Sequence, residues 1–236
     1  MSSLLIAAAA AINIFTIPLT VKGPNAYNSV FLAILPESKE PALDAQALGL
    51  SPYWLKYSGI GAWAVDSGYG DAVKAGVMGK TITPASVLRF YALRPASLWR
   101  HVKTVLPIGF SLRPEWCGNF ERSTGLPPLA RSKAFSLWSA FHEHALAACG
   151  KFILIALPIC PVICVLAWFR WAHRRRFLEF FGLLSVCCLA SFVVAICGDA
   201  WDNVKHLFLF NLLLDTWLVA SVAVLFQSAR NVLYGI

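Results

Sequence analysis

The chain has 236 residues, 58% of them hydrophobic and 14% charged, with a mean hydropathy of +0.64 and a formal net charge of +8. That balance excludes an ordinary soluble domain and indicates a membrane protein. Four windows, 4–19, 152–169, 177–197 and 207–226, are apolar over about the 20 residues that a helix needs to cross a hydrocarbon core. They predict an all-α membrane protein with four transmembrane helices. A mostly helical extracytoplasmic domain, 22–149, is expected between helices 1 and 2, and the remaining three helices fall within 150–236.

Orientation follows from the basic loop "RWAHRRR" at 170–176, because short Lys- and Arg-rich loops stay on the cytoplasmic side. With that loop inside, residues 22–149 are outside and both termini inside, as for an integral protein of a bacterial inner or plasma membrane. The alanine-rich first window also fits a cleaved signal peptide, although no basic stretch precedes it. Either reading leaves the next segment outside.

In chain order, "GPNAYNSVFLAILPES" offers Tyr27, Val30, Phe31 and Ile34 at helical spacing before Pro36. Pro41 starts a second short helix and Gly49 ends it. "SPYWLKYSGIGAW" reads as a packed aromatic turn. Further on, Thr83 is an expected N-cap, Leu88, Tyr91 and Leu98 supply apolar faces, and Pro95 separates two helices. A loop rich in Gly, Pro and charge follows, then an amphipathic helix from about Ser132 that carries Phe135, Leu137, Trp138 and Phe141. That loop is the expected place for a binding site.

Residues 22–147 hold 13 Lys and Arg against 8 Asp and Glu, a net +5. Such a surface beside lipid headgroups suits anionic lipid or a phosphate-bearing lipid carrier, and the compartment excludes nucleic acid. The cysteines at 117, 149, 160, 164, 187, 188 and 197 imply no disulfide framework. Cys160 and Cys164 read as small residues packed in a membrane helix.

The most polar membrane-proximal stretch is "GDAWDNVKHLFLFNLLLDTW", 198–217. Asp202 and His206 lie four apart, as do Asn211 and Asp215, so each pair shares a helix face. Ionisable groups at lipid depth are costly and normally face protein or water. Three readings follow. Asp199 and Asp202 cap a helix while Lys205 and His206 reach toward water and Asp215 bonds to a neighbouring helix; or the group cradles the phosphate of a lipid-linked substrate; or His142, His144, Asp202 and His206 hold a divalent metal. No nucleophile triad, phosphate loop or paired-cysteine zinc spacing occurs.

The blocks "NAYNSVFLAILPESKEPALDAQALGL", "SVLRFYALRPASLW", "LRPEWCGNFERSTGLPPLARSKAFSLWS" and "HLFLFNLLLD" resemble the C-terminal half of bacterial polytopic glycan-biosynthesis hexose transferases. Those proteins are similar in plan to GT-C-type glycosyltransferases, which take sugar from a polyprenyl-phosphate donor outside the membrane. The resemblance marks Tyr27, Asn28, Arg113, Pro114, Gly118, Asn119, Phe120, Glu121, His206, Phe208 and Asn211 as pattern residues. It implies a membrane component of cell-surface glycan assembly whose partners are a polyprenyl-phosphate-linked sugar, other glycan-assembly membrane proteins or a missing N-terminal half. If the chain is a hexosyltransferase, a carboxylate acts as general base, and Glu115, Glu121, Asp199 and Asp202 are the candidates. Arg113 and Arg122 are expected to hold phosphate, with Asn119, Tyr27, Asn28, Lys205, His206 and Asn211 contributing to substrate binding. The alternative is a non-catalytic membrane-anchored binding or assembly subunit.

Overall fold

A computed structural model describes residues 19–114, 117–134, 136–171 and 174–234. Nearly all of the expected first span, 4–19, and the candidate Glu115 lie outside the described residues. Among the described residues the chain is helical, and its β pairing is confined to the isolated bridges Met78–Ile82 and Asn119–Arg131. It divides into two compact units, residues 1–102 with 197–201 and residues 103–196 with 202–236.

In the first unit, α1 (Leu19–Asn28) runs into a π turn at Ser29–Ile34. Tyr27, Val30, Phe31 and Ile34 are all buried here, as their spacing requires. Tyr27 packs on Phe31 at 4.3 Å between ring centroids and meets Tyr69 edge-on at 5.6 Å. Three helices open on proline: α2 (Pro41–Ala47), then α4 (Pro84–Leu93) and α5 (Pro95–Val105), which follow the short α3 (Tyr69–Lys74). Proline suits a first turn because its missing N–H has no helical partner there. Thr83 caps α4 in a reciprocal pair with Ser86, each accepting a hydrogen bond from the other's backbone N–H. α4 buries Val87, Phe90 and Tyr91, whereas Leu88 is exposed, a one-residue error in the expected apolar face. The turn 52–57 is a 3₁₀ helix whose Tyr53, Trp54 and Tyr57 rings touch one another, with the Lys56 ammonium 3.8 Å from the Tyr53 ring centroid. Arg94 closes the unit through a 2.6 Å ion pair to buried Asp44, which also accepts a bond from Ser38.

In the second unit one continuous helix, Leu137–Arg170, spans 34 residues as α6 (Leu137–Ala140), a π turn (Phe141–Leu146) and α7 (Ala147–Arg170). It starts at Leu137, five residues later than Ser132. α8 (Arg175–Gly198), α9 (Asn203–His206) and α10 (Phe208–Tyr234) follow. Leu137–Arg170 and Arg175–Gly198 are long and apolar enough to cross a membrane, while the apolar part of α10 is the shorter Phe208–Ala223. Among the described residues there are therefore two clear candidate spans, where the sequence suggests four over the whole chain.

α7 exposes Phe152, Ile155, Ile159, Val162, Ile163 and Leu166. An aqueous surface does not keep a face of that size, and a lipid-facing helix does. Its inner side packs closely: Phe110 lies so near Gly150 that a Cβ there would meet its ring at 2.6 Å. Phe110 and Phe192 both meet Phe210 edge-on. Cys164, Leu178 and Phe181 form a second cluster with Trp217 against it, and Trp217 donates to Ser185. Cys160 and Cys164 are free thiols within this packing.

Candidate anion-binding site

The loop 111–136 precedes the long helix and is folded back by one antiparallel bridge, Asn119 with Arg131, beside a 2.9 Å bond from Phe120 N–H to the Ala130 carbonyl. That closure carries Arg131 round toward Arg113. Gly118 sits between, at φ +69°, where L side chains are strained, and a Cβ on it would come within 3.0 Å of an Arg113 guanidinium nitrogen. Glycine therefore gives the chain its turn and leaves the guanidinium its place.

The result is a cavity of about 410 Å³ whose wall includes Arg113, Arg131, Lys133, Ser139, Glu143 and His144. Ser136 immediately precedes the helix and its hydroxyl donates to the Lys133 carbonyl at 2.7 Å. The first backbone N–H groups of the helix have no helical acceptors, so its N-terminal end adds partial positive charge to the three cations. Among the described residues Glu143 is the one carboxylate on this wall, and it accepts a 3.3 Å bond from Ser111. Cations, hydroxyls and a helix N-terminus are the groups that phosphate-like anions pair with.

The π turn lies one step beyond. It turns His142 inward, fully buried, with Nε2 2.7 Å from an Asp215 oxygen, and the other Asp215 oxygen accepts from Trp138 Nε1 at 3.1 Å. Asp215 is thus committed to the 137–146 segment. His142, His144, Asp202 and His206 do not converge: His142 is taken by Asp215, His144 lines the cavity, and Asp202 caps α9 by accepting from the Lys205 N–H at 3.4 Å. Among the described residues no three His, Cys, Asp or Glu side chains are placed to hold a metal ion.

The other sequence candidates fall in several places. Asp199 is buried and accepts from Asn28 Nδ2 at 3.0 Å and from the Trp201 N–H at 2.9 Å, while the Asn28 side-chain oxygen Oδ1 accepts from the Ala62 N–H. Ser29 adds a bond to the Cys197 carbonyl, so this group ties α1 to the end of α8. Tyr27 is core, and its burial raises the phenol above its ordinary pKa. Asn211 is buried and donates to the Gly109 carbonyl at 3.1 Å. Glu121 and Arg122 are exposed on a 3₁₀ turn, with Glu121 accepting from Ser123. Asn119 holds the loop bridge, Lys205 is exposed and His206 half-buried. Among the described candidates, Arg113 of the substrate-binding set and His144 of the metal set line the cavity. Arg131, Lys133, Ser139 and Glu143 escape sequence reasoning as site residues. The Ser136, Ser139, Glu143 spacing of three and four on a helix was the available signal.

The family model for the YfdI N-terminal transmembrane domain matches residues 1–233. The chain belongs to this family. Membership in the YfdI N-terminal transmembrane domain family agrees with the apolar helices in making this a membrane protein. The family's description places its domain at an N-terminus, in contrast to the C-terminal half that the sequence resemblance implies. Neither the curated proteins nor the solved structures contain a match.

Proposed function

We propose that the chain is a membrane component of cell-surface glycan assembly that holds the phosphate of a polyprenyl-phosphate-linked hexose in the Arg113, Arg131 and Lys133 cavity. The observation that carries this is the convergence of three cations on the N-terminal end of a membrane-length helix. At 1.5 Å per residue a 34-residue helix is about 50 Å long, more than the ~30 Å hydrocarbon core, so its two ends reach opposite faces. With the arginine-rich turn 170–176 cytoplasmic, the cavity lies on the outer face, where a lipid-linked donor is used.

Among the described carboxylates Glu143 shares the cavity with the cations and Glu121, Asp199 and Asp202 do not. In a transferase it would take the proton of the acceptor hydroxyl as that oxygen attacks the sugar's anomeric carbon and the lipid phosphate leaves. A second reading, a binding or assembly subunit, draws on the use of Asp199 and Asp202 as clamp and cap.

Native mass spectrometry of the purified chain with polyprenyl-phosphate-hexose tests the proposal. Arg113→Ala with Arg131→Ala should weaken binding by at least about tenfold, since each removes a charge-assisted bond. Unchanged affinity removes the phosphate site. Glu143→Gln should leave binding intact and abolish any hexose transfer; if the parent protein binds the donor and transfers nothing, the assembly reading stands.

A further inference from the structure

A second cavity lies far along the same helix. α7 and α8 leave a groove of about 450 Å³ between them, with walls that include Pro161, Cys164, Val165, Leu183 and Val186. Gly182 lets the helices approach at its floor, since a Cβ there would already touch that of Cys164 at 3.4 Å. Val165, Leu183 and Val186 remain exposed, so the groove opens sideways as an apolar wall.

Its end toward 170–176 is built differently. Trp168 is held from two sides: its Nε1 donates to Glu179 at 2.8 Å, and the Arg175 guanidinium lies 4.2 Å from its ring centroid. The Arg175 Nε also donates to the Trp168 carbonyl at 3.4 Å. Glu179, the carboxylate of this wall, is occupied by Trp168. Immediately beyond, Arg170, Arg174 and Arg176 are exposed and form no ion pair among the described residues.

We propose that this groove is a binding site for an anionic phospholipid, one acyl chain lying along the α7–α8 wall and the headgroup phosphate on the arginines at 170–176. Charge complementarity selects the occupant. Among the described residues three guanidinium groups without an ion pair and one stacked on Trp168 accompany a single engaged carboxylate on the groove wall, and a zwitterionic headgroup would bring its own ammonium against them. The apolar wall supplies affinity for any diacyl lipid, and the arginine rim supplies preference for a negative one.

The test uses the full chain carrying Arg113→Ala and Arg131→Ala, which silences the other cationic cavity. Native mass spectrometry compares retention of phosphatidylglycerol and phosphatidylcholine. The parent should prefer phosphatidylglycerol by about tenfold or more. Adding Arg170→Gln, Arg174→Gln and Arg176→Gln should abolish that preference while leaving weak retention of both lipids. Arg175 is spared because it supports Trp168. Filling the groove with Val165→Trp, or independently Leu183→Trp, should reduce retention of both lipids. Equal retention by the parent, a preference that survives loss of the three arginines, or full retention by both filled-groove variants overturns the proposal.

Discussion

Asn28→Ala distinguishes architecture from substrate contact at the Asn28–Asp199 pair. In the native structure Asn28 is fully buried, donates to Asp199 at 3.0 Å and accepts from the Ala62 N–H at 2.8 Å. Removing the amide leaves the buried Ala62 N–H without that acceptor and strips the Asn28 bond from a buried carboxylate. An unsatisfied buried group costs about 1–3 kcal/mol, so the change should destabilise by about 3 kcal/mol. For a chain of this size that is a fall of about 6–12 °C in Tm. Thermal unfolding in detergent, followed by intrinsic fluorescence, measures it. Asn28→Asp should be at least as damaging, since it sets a second carboxylate against Asp199. Donor-lipid binding measured below the lowered Tm should be unchanged. An Asn28→Ala protein with parental Tm and lost donor binding would refute the clamp and restore Asn28 and Asp199 to a substrate site.

Gly118→Ala should weaken phosphate-lipid binding several-fold with little change in Tm, because the new Cβ crowds Arg113 and the residue must hold φ +69°; titration with a polyprenyl phosphate reads this. A double-mutant cycle of His142→Phe with Asp215→Asn should give a coupling of about 1–3 kcal/mol in unfolding, and additivity would mean that the 2.7 Å pair is idle. Burial raises the Tyr91 phenol above its ordinary pKa of 10.0, so the unfolded state loses that proton first. Stability should therefore hold below about pH 10 and fall as pH climbs above it, and Tyr91→Phe should blunt the fall in an alkaline Tm series.

Local chemistry was legible in the sequence and distant pairing was not. Thr83, Pro41, Pro84 and Pro95 act within one turn of their own positions, and the structure uses each as a helix start or cap. Tyr27, Val30, Phe31 and Ile34 are buried as their spacing requires. The spacing of Asp202 and His206 suggests a shared face, yet Asp202 precedes α9 and its carboxylate caps the α9 backbone. Asn28 and Asp199 are 171 residues apart, and nothing local in either announces the other. Arg131 and Lys133 look like loop surface charges until the Asn119 bridge folds them over Arg113.

The π turn at Phe141–Leu146 has a consequence for how one helix serves two environments. A wider turn accommodates an extra residue without breaking the rod, so the stripe before it and the stripe after it need not continue one another. Ser139 can address an ionic cavity while Phe152 and Ile155 address lipid, each set by its own side of the turn. Deleting one residue from 141–146 would restore ordinary winding and leave the flanking segments close to their present phase, because the wider turn spreads one extra residue over the same rotation. The six residues absorb one residue of register, and the polar end can change its ligand without retuning the part that sits in the bilayer.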